Sequence, residues 1–300
     1  MNILASLRTR LLALRNRLPL PLQRVANRIA FHSILTTQER HVWKRRLANV
    51  LACKDNAFVP RHPDAGRVRG GVMTMHNGIP VYAGSYYGYG EQQILEKNRG
   101  CHEPQEERVF AQVLELMPRG ATMLELGAYW AFYSLWFATV VPDARNWLVE
   151  PERPNLEKGQ ANFKLNGKRG HFVNARVGAE HRPLDAMPCI SVDGLLRDCL
   201  IEHLNLLHSD IQGFELDMLR GATQTFELRR VDHVFISTHS NEVHRECVRW
   251  LQGHEYIVHQ NIDLDASFSF DGLVVASSPT IPPVVALHLD RRGKSDERSI

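Results

Sequence analysis

Cysteines are few in this sequence, and their spacing follows no known pattern. The chain of 300 residues has five of them, and no two form a Cys-x-x-Cys pair. Zinc-binding and disulfide-rich proteins need cysteines at short or paired spacings. The sequence therefore predicts neither a zinc site nor a disulfide framework, and it suits the reducing conditions of the cytoplasm.

Long apolar stretches are also missing. The sequence contains no run of the roughly 18 apolar residues that a membrane-spanning helix requires. We therefore expect no membrane-spanning segment. With 44% hydrophobic and 23% charged residues, the composition is that of a folded globular protein.

Charge of one sign is not in excess either. Lys and Arg number 36, Asp and Glu number 33, and the formal net charge is +3. Nucleic-acid-binding proteins carry strongly basic faces, and no predicted helix beyond the N-terminus has one. We therefore expect no nucleic acid among the partners.

Acidic residues are absent from residues 1–38. Arginines and leucines share this stretch at spacings that predict a basic amphipathic helix, broken near Pro19 and Pro21. Three explanations remain open: the helix packs on the rest of the protein, it is a targeting segment, or it holds a cytoplasmic protein peripherally at the inner membrane surface. The arginines are Arg8, Arg10, Arg15, Arg17, Arg24 and Arg28.

The remaining chain divides into segments of different pattern. Asn77-Gly78 stands between two short alternating runs, at 72–75 and 79–83, which is the strongest short-range signal of a β-hairpin. A stretch rich in tyrosine follows the hairpin. We predict a basic helical extension at 1–56, a hairpin and aromatic loop forming a cap at 57–100, one main domain at 101–280 and a frayed tail within 281–300.

Short apolar runs alternate with helical patterns from residue 101 onward. This alternation predicts an α/β fold with a doubly wound, mostly parallel sheet of seven strands. The parallel strands are predicted near 123–126, 147–149, 171–177, 204–207 and 234–237, and an antiparallel pair at 256–259 and 268–276 completes the sheet. Helices are predicted at 101–118, 132–140, 153–166, 194–201 and 241–253, and Cys189–Val192 is predicted to be a further strand before a helix that Asp193 caps.

The polarity of the chain changes abruptly at Asp210. The apolar strand at 204–207 leads into Asp210 and Gly213, and an amphipathic helix follows. In open α/β sheets, ligands bind at the carboxyl ends of the strands. We therefore place Asp210 at the chemistry, whereas His208, two residues earlier, is expected to be a buried and satisfied core histidine.

Gly127 and Glu150 follow the first two parallel strands. A glycine at the first position lets backbone N–H groups approach a ligand, but Ala128–Ala131 lacks the further glycines of a dinucleotide-binding loop. A smaller nucleoside is therefore favoured, and Glu150 can accept both hydroxyl hydrogens of its ribose. An ordinary turn and a surface carboxylate are the alternatives.

Four stretches, LELGAYWAFYS, VEPERPNLEKGQANFKLNG, SVDGLL and SDIQGFELDMLRGA, together resemble the FkbM family of S-adenosylmethionine-dependent methyltransferases. The resemblance covers about residues 101–276 and implies a class I methyltransferase fold, which is Rossmann-like, with S-adenosylmethionine as cofactor. The residues that match the family pattern are Gly127-Ala128, Glu150-Pro151, Asn162, Asn166, Asp210, Gly213, Glu215, Leu219 and Gly221-Ala222. From it we expect cofactor contacts by Glu125, Gly127, Ala128, Tyr129, Glu150, Asn162 and Asp193.

The sequence departs from the family pattern at three positions. Tyr129 and Ala131 stand where the family has Asn and Gly, and Gln212 stands where it has the first acid of its later motif. The first two replacements bear on the cofactor contacts. The third leaves Asp210 and Glu215 as the acids of that motif.

His239 ends the fifth parallel strand, at the same edge of the sheet as Asp210. Neighbouring strands lie about 5 Å apart, so both side chains can reach one ligand. The arrangement is similar to that of catechol O-methyltransferase-like enzymes, in which a divalent ion holds the acceptor hydroxyl. We expect Asp210, His239 and Glu215 to be catalytic, either as ligands of Mg²⁺, Mn²⁺, Fe²⁺ or Zn²⁺ or with His239 as the base. Capping of the next helix is the alternative.

The resemblance implies transfer of a methyl group from S-adenosylmethionine to a hydroxyl of a sugar, a glycan-linked molecule or another small molecule. Two alternatives remain open. One is an N-methyltransferase of the same fold that needs no metal. The other is a non-catalytic binding protein that has lost the cofactor, for which Tyr129, Trp130 and Ala131 are the motivating residues.

Overall fold

The computed structural model of the protein describes residues 18–33, 35–86, 88–282 and 287–293. The first 17 residues of the predicted basic extension, Tyr87 of the aromatic stretch and residues 294–300 of the predicted tail lie outside this range. Within the described residues, no helix is both long enough and apolar enough to cross a membrane. All five cysteines lie within it and are unpaired.

Two helices, α1 (Leu20–Ser33) and α2 (Thr37–Ala52), open the described chain. A capping box fixes the start of α2, because the Thr36 hydroxyl accepts the Glu39 N–H and the Glu39 carboxylate accepts the Thr36 N–H. A single 3₁₀ turn, Lys54–Ala57, follows α2. The helical character predicted for residues 39–56 is therefore confirmed.

The hairpin predicted around Asn77-Gly78 is present. Strands β1 (Val68–Arg69), β2 (Val72–Thr74) and β3 (Pro80–Tyr82) form a small antiparallel sheet. Gly78 has φ +87°, a left-handed conformation that glycine adopts without steric cost. The hairpin packs into the main core through Met73 and Val81.

Helix α3 (Tyr89–Lys97) occupies the place of the predicted aromatic loop. A Cβ atom on Gly90 would lie 2.3 Å from the ring of Trp43 in α2, so the two helices approach closely only because this residue is glycine. Glycine in a helix interior costs about 1 kcal/mol relative to alanine. Packing against Trp43 overrides that local preference, which explains why the sequence pattern did not predict the helix.

Strands and helices alternate through the rest of the chain. The helices are α4 (Pro104–Leu114), α5 (Phe132–Val140), α6 (Arg153–Leu165), α7 (Val192–Asp198), α8 (Glu215–Arg220), α9 (Thr223–Glu227) and α10 (Asn241–Gly253). The strands are β4 (Thr122–Leu126), β5 (Arg145–Val149), β6 (His171–Val173), β7 (Arg176–Val177), β8 (Cys189–Ile190), β9 (Leu204–Ser209), β10 (Val231–Thr238), β11 (Ile257–Ile262) and β12 (Gly272–Ser277).

Seven of these strands form the main sheet in the order β11-β12-β10-β9-β4-β5-β6. The pairs from β10 through β9, β4 and β5 to β6 are parallel, and β12 is antiparallel to both of its neighbours. The chain runs outward from β4 through β5 and β6 and then returns to β9 on the other side of β4. The predicted doubly wound, mostly parallel sheet of seven strands is confirmed.

A hydrophobic core covers each face of the sheet. Successive strand residues point to opposite faces, so Met123 of β4 packs into one core while Leu124 and Leu126 pack into the other. Phe110 of α4 belongs to the first core, and Met218 of α8 belongs to the second. Because both faces are covered, the strands read as almost continuous apolar runs.

Some predicted boundaries are wrong. Strand β8 pairs with β7 outside the main sheet, and helix α7 already begins at Val192, so Cys189–Val192 is not a full strand. The hydroxyl of Ser191 caps α7 by accepting the Gly194 N–H at 3.1 Å; Asp193 lies within the helix and does not cap it. The last strand begins at Gly272, after a turn that the sequence pattern had included in it.

Part of the predicted tail is folded against the protein. Leu289 is buried, the N–H of Asp290 donates to the Asp55 carboxylate at 2.9 Å, and the Asp290 carbonyl accepts the Gln105 side chain at 2.7 Å. The prediction of a frayed segment is therefore wrong for residues 290–293.

Candidate active site

A cavity of about 290 Å³ lies at the carboxyl ends of β4, β5 and β9. The strand order reverses between β4 and β9, and ligands of doubly wound sheets bind at such a reversal. Its volume is near the lower end of the range for small-molecule sites, about 300–1,000 Å³. Six of the residues predicted from the sequence line it: Glu125, Gly127, Ala128, Tyr129, Glu150 and Asp210.

Gly127 joins three strands at the base of the cavity. Its φ is +75°, and a Cβ atom there would lie 1.7 Å from the carbonyl oxygen of Asp210. The N–H groups of Gly127 and Ala128 both donate to the Val149 carbonyl, at 2.9 and 3.0 Å. Only glycine fits this position, because any side chain would push β9 away from β4.

The turn after Gly127 keeps two further residues in the left-handed region, Tyr129 with φ 42° and Ala131 with φ 62°. The family that the sequence resembles has Asn and Gly at these positions, and those residue types adopt this region most readily. Tyr129 and Ala131 hold the same region at a cost of about 1–2 kcal/mol each. The residue types differ from the family motif, but the backbone dihedral angles at these two positions are still ones that Asn and Gly favour.

Glu150 presents a buried carboxylate to the cavity. One oxygen accepts the Tyr129 N–H at 3.1 Å and the other accepts the Glu152 N–H at 2.9 Å. Burial raises the pKa of Glu150, although these two hydrogen bonds act against the rise. Since a carboxylate oxygen can accept two hydrogens, each oxygen keeps the capacity to bind a ligand hydroxyl.

Glu125 and His208 form the floor of the cavity as register partners on β4 and β9. Burial raises the pKa of Glu125 to about 7. Burial alone would lower the pKa of His208, but the Glu106 carboxylate, 2.7 Å from its Nε2, outweighs burial and raises it. Within the described part of the chain, Nδ1 of His208 has no hydrogen-bond partner. His208 is thus buried as expected but only half satisfied, and its unpaired Nδ1 can form a hydrogen bond with a bound ligand.

His102 and Glu103, at the start of α4, form another wall. The Tyr133 hydroxyl donates to Glu103 at 2.8 Å. Behind them, the Glu107 carboxylate lies 2.7 Å from Nδ1 of His102 and 3.1 Å from Nε2 of His76. Burial alone would lower the pKa of His102, but Glu103 and Glu107 raise it to about 9. A buried network of charged groups therefore supports this wall.

Asp210, Glu215, His239 and Asp271 meet beside the cavity, and we call these four residues the carboxylate–histidine cluster. His239 Nδ1 lies 2.7 Å from Glu215, and its Nε2 lies 3.2 Å from Asp210 and 3.3 Å from Asp271. The structure thus brings together the three predicted catalytic residues. Sequence reasoning missed Asp271, which precedes β12, because the antiparallel pairing of β12 with β10 brings it there.

Gln212, which replaces an acid of the family pattern, also lines the cavity. Its side-chain N–H donates to Asp210 at 3.2 Å, and its backbone is left-handed with φ 56°. The carboxamide therefore supports Asp210 by a hydrogen bond and adds no second negative charge.

The cluster holds His239 in its protonated form. Burial alone would lower the pKa of His239, but the hydrogen bonds to Asp210 and Glu215 raise it to about 10. Burial acts to raise the pKa of Asp210, and the contact with His239 outweighs it, so that pKa is lowered. Burial and the nearby Asp210 raise the pKa of Asp271 to about 7. At neutral pH, Asp210 is a carboxylate and His239 is an imidazolium.

This protonation state differs from the neutral imidazole that the sequence led us to expect. Both ring nitrogens of His239 lie close to carboxylates, and the imidazolium has no lone pair with which to take a substrate proton. Among the residues that the structure describes, no group of three or more His, Cys, Asp and Glu side chains could hold a metal ion. The predicted metal site at Asp210, Glu215 and His239 is not supported.

Two predicted cofactor residues lie outside the cavity wall. The Asp193 carboxylate accepts the Thr225 N–H at 2.8 Å, at the start of α9. The Asn162 side chain accepts the Tyr82 N–H and donates to the Trp130 carbonyl, each at 3.0 Å. Asp193 therefore stabilises the start of α9. Asn162 lies outside the cavity and connects the hairpin to the turn after Gly127 by hydrogen bonds.

Replacing His239 by glutamine should remove a stabilisation that depends on pH. The pKa of His239 is raised in the folded protein from about 6.5 to about 10 by Asp210, Glu215 and Asp271. The stabilisation is therefore fully present below pH 6.5 and is lost as the pH rises through 10. Urea denaturation should show the largest difference between wild type and His239→Gln below pH 6.5 and almost none above pH 10.

The exposed His41 offers a matched control, since His41→Gln changes the same residue type away from the cluster. A wild-type advantage over His239→Gln that stayed constant from acidic to alkaline pH would show that His239 is not held as an imidazolium.

Comparison with known proteins identifies the family model that the chain matches. Residues 180–258 match the methyltransferase FkbM domain. This range includes the motif from Asp210 to Ala222, so the resemblance recognised from the motifs is confirmed. No match was found among curated protein sequences.

Solved structures that resemble the chain include three methyltransferases. A precorrin-6y C5,15-methyltransferase from Geobacter metallireducens GS-15 is 15% identical with a TM-score of 0.40, covering 57% of this chain and 87% of that one. A putative rRNA methylase from Clostridium thermocellum is 11% identical with a TM-score of 0.43, covering 58% and 96%. TrmK from M. capricolum, in complex with S-adenosyl-homocysteine, is 10% identical with a TM-score of 0.39, covering 57% and 67%.

Proposed function

We propose that this chain, whose residues 180–258 match the methyltransferase FkbM domain, is an S-adenosylmethionine-dependent methyltransferase that methylates a hydroxyl oxygen of a small acceptor without a resident metal ion. The observation that carries the proposal is that Glu150 and Asp210 line one cavity at the strand reversal. Glu150 is suited to a ribose, and Asp210 is suited to an acceptor hydroxyl.

The residues of the cavity fit the nucleoside part of the cofactor. Both oxygens of Glu150 can accept further hydrogens, which suits the two ribose hydroxyls. Tyr86 and Trp130, whose ring centroids are 4.5 Å apart, contribute aromatic surface to the same cavity. Aromatic faces of this kind stack on planar ligand rings, so adenine can be held there.

The residues also fit the charges of the cofactor. Glu103, Glu125 and Asp210 place acidic groups around the cavity, which favours the positive sulfonium and ammonium groups by electrostatic attraction. Nδ1 of His208, which has no hydrogen-bond partner among the described residues, can form a hydrogen bond with the amino-acid part. A site with these groups would bind the cofactor at both of its ends.

The carboxylate–histidine cluster accounts for activation of the acceptor. S-adenosylmethionine supplies a methyl group already activated by its sulfonium. Asp210, ionised and oriented by His239, can accept the hydrogen of an acceptor hydroxyl. It would take that proton as the oxygen bonds to the methyl carbon and the bond from sulfur to that carbon breaks, which leaves S-adenosylhomocysteine. His239 cannot be the base in its protonated form, and it instead fixes the position and charge of Asp210. The acceptor oxygen is thereby aligned with the methyl carbon.

The acceptor is proposed to be a hydroxyl of a sugar or glycan-linked molecule, and the support for this class is the family resemblance of the sequence. The cluster itself requires only a hydroxyl that reaches Asp210. Transfer of a labelled methyl group to a panel of mono- and oligosaccharides, beside hydroxylated lipids and amines, tests this choice. Labelling of amines but of no hydroxylated compound would contradict it, and addition of EDTA should leave the rate unchanged.

Glu150→Gln tests the cofactor site directly. The variant keeps the size of the side chain but lacks the charge that strengthens hydrogen bonds to ribose, which are worth about 1.5–3 kcal/mol each when charged. We expect S-adenosylhomocysteine to bind about 10- to 100-fold more weakly in calorimetric titration. Wild type that bound no S-adenosylhomocysteine would overturn the proposed function.

Glu157→Gln is the matched control, because Glu157 is exposed on α6 and its ion pair with Arg153 is a surface contact. Its affinity for S-adenosylhomocysteine should equal that of wild type. Equal affinities of all three proteins would remove Glu150 from the cofactor site while leaving the cavity itself as a candidate.

A further inference from the structure

Helix α1 carries a stripe of exposed apolar side chains, which we call the α1 stripe. Leu18 just before the helix is 39% exposed, and Leu22, Val25 and Ile29 are 54%, 57% and 61% exposed. The spacing of three and four residues places Leu22, Val25 and Ile29, which lie within the helix, inside an arc of about 60° on a helix of 3.6 residues per turn. Soluble proteins expose single apolar residues often but rarely align them in this way.

The α1 stripe is separate from the face by which the helix packs on the protein. Gln23, on a different side of α1, is buried, and α1 contacts α3. Much of the apolar stripe is therefore left open to solvent. Aligned apolar side chains of this kind are typical of an interaction surface.

Charge around the stripe indicates which occupant it is. Residues 1–38 contain six arginines and no acidic residue, and Arg28 is exposed on the described helix, about 90° around from the centre of the stripe. A protein partner would need a complementary acidic surface beside an apolar groove. An anionic lipid surface offers both features at once, because apolar side chains enter the acyl boundary while arginines contact the headgroups.

We propose that the α1 stripe docks the enzyme on an anionic membrane surface, with Arg28 beside the stripe contacting the lipid headgroups. The helix lies in the plane of the interface and does not span the bilayer. Helix α1 packs on α3. Only two residues separate Tyr86, which lines the cavity, from the first residue of α3. Docking through α1 therefore places the cap of the cavity, not the opposite end of the sheet, beside the lipid.

Sedimentation with vesicles tests this directly on the full chain. Wild type should partition onto vesicles of 70% phosphatidylcholine and 30% phosphatidylserine. At high salt its partitioning onto these vesicles should fall by a factor of about 10 or more, because salt screens the surface attraction. Partitioning onto pure phosphatidylcholine should be weak. The triple variant Leu22→Gln, Val25→Gln, Ile29→Gln removes apolar area without changing charge. We expect it to lose at least about 10-fold in partitioning.

A matched triple variant controls for the general loss of surface apolar area. Leu116, Leu184 and Leu228 are 51%, 98% and 62% exposed elsewhere on the protein, and their replacement by Gln should leave partitioning unchanged. Equal partitioning of wild type and the α1 variant would overturn the proposal. So would a change in sedimentation coefficient of the α1 variant without vesicles, because that result assigns the stripe to a protein–protein contact.

Discussion

Asp210→Asn should lower kcat for methyl transfer by a factor of about 10²–10⁴, the usual contribution of a positioned acid–base group. The asparagine keeps the shape of the side chain and can still contact its neighbours, but it cannot take a proton from the acceptor. Because Asp210 contributes to the acceptor side of the cavity, the affinity for S-adenosylhomocysteine should change by no more than about threefold. The measurement is single-turnover transfer of labelled methyl to the best acceptor of the panel.

Asp217→Asn serves as the control for this substitution. Asp217 lies on α8, within the motif but outside the cavity lining, and its contact with Arg220 is an exposed ion pair. The kcat of Asp217→Asn should therefore equal that of wild type. If Asp210→Asn transferred methyl groups at nearly the wild-type rate, Asp210 would not be the proton acceptor. The role would then pass to another residue of the cavity.

Gly127→Ala should destabilise the protein by at least about 3 kcal/mol. The left-handed backbone costs a non-glycine residue about 1–2 kcal/mol, and forcing a methyl group into close-packed structure adds about 1–3 kcal/mol. The second cost arises because the new Cβ would lie 1.7 Å from the Asp210 carbonyl oxygen. Urea denaturation monitored by circular dichroism measures the free energy of unfolding.

Gly120→Ala separates the two costs. Gly120 has the same φ of +75°, but no atom lies within 4 Å of the Cβ that would be added there. Gly120→Ala should therefore show only the backbone cost. If both variants lost the same stability, the clash with β9 would be relieved by a small shift, and the tight junction between β4 and β9 would not be needed for folding.

The prediction that certain residues meet at one edge of the sheet has a physical basis. In a parallel sheet all carboxyl ends lie at the same edge, so residues that follow apolar runs come together there. Gly127, Glu150 and Asp210 each follow such a run, and the structure places all three around one cavity. Periodicity and turn residues were enough for this part of the prediction.

Other residues of the site depend on contacts that no local pattern encodes. Asp271 reaches His239 through the antiparallel pairing of β12, and Glu103 reaches the cavity from the start of a helix that precedes the sheet. The protonation of His239 also follows from three surrounding carboxylates and not from its own position in the chain. These features could be seen only in the tertiary structure, because they depend on how deeply each side chain is buried and on which residues contact it.

The turn after Gly127 has a consequence for how such proteins are detected. The left-handed angles of Tyr129 and Ala131 suit Asn and Gly, yet the side chains are different, and the matched range of the family model begins only at residue 180. A position-by-position comparison of amino acids penalises this turn, whereas a template of dihedral angles would accept it. Divergent relatives of this chain should therefore be sought by the backbone geometry between β4 and α5, with side-chain identity left free.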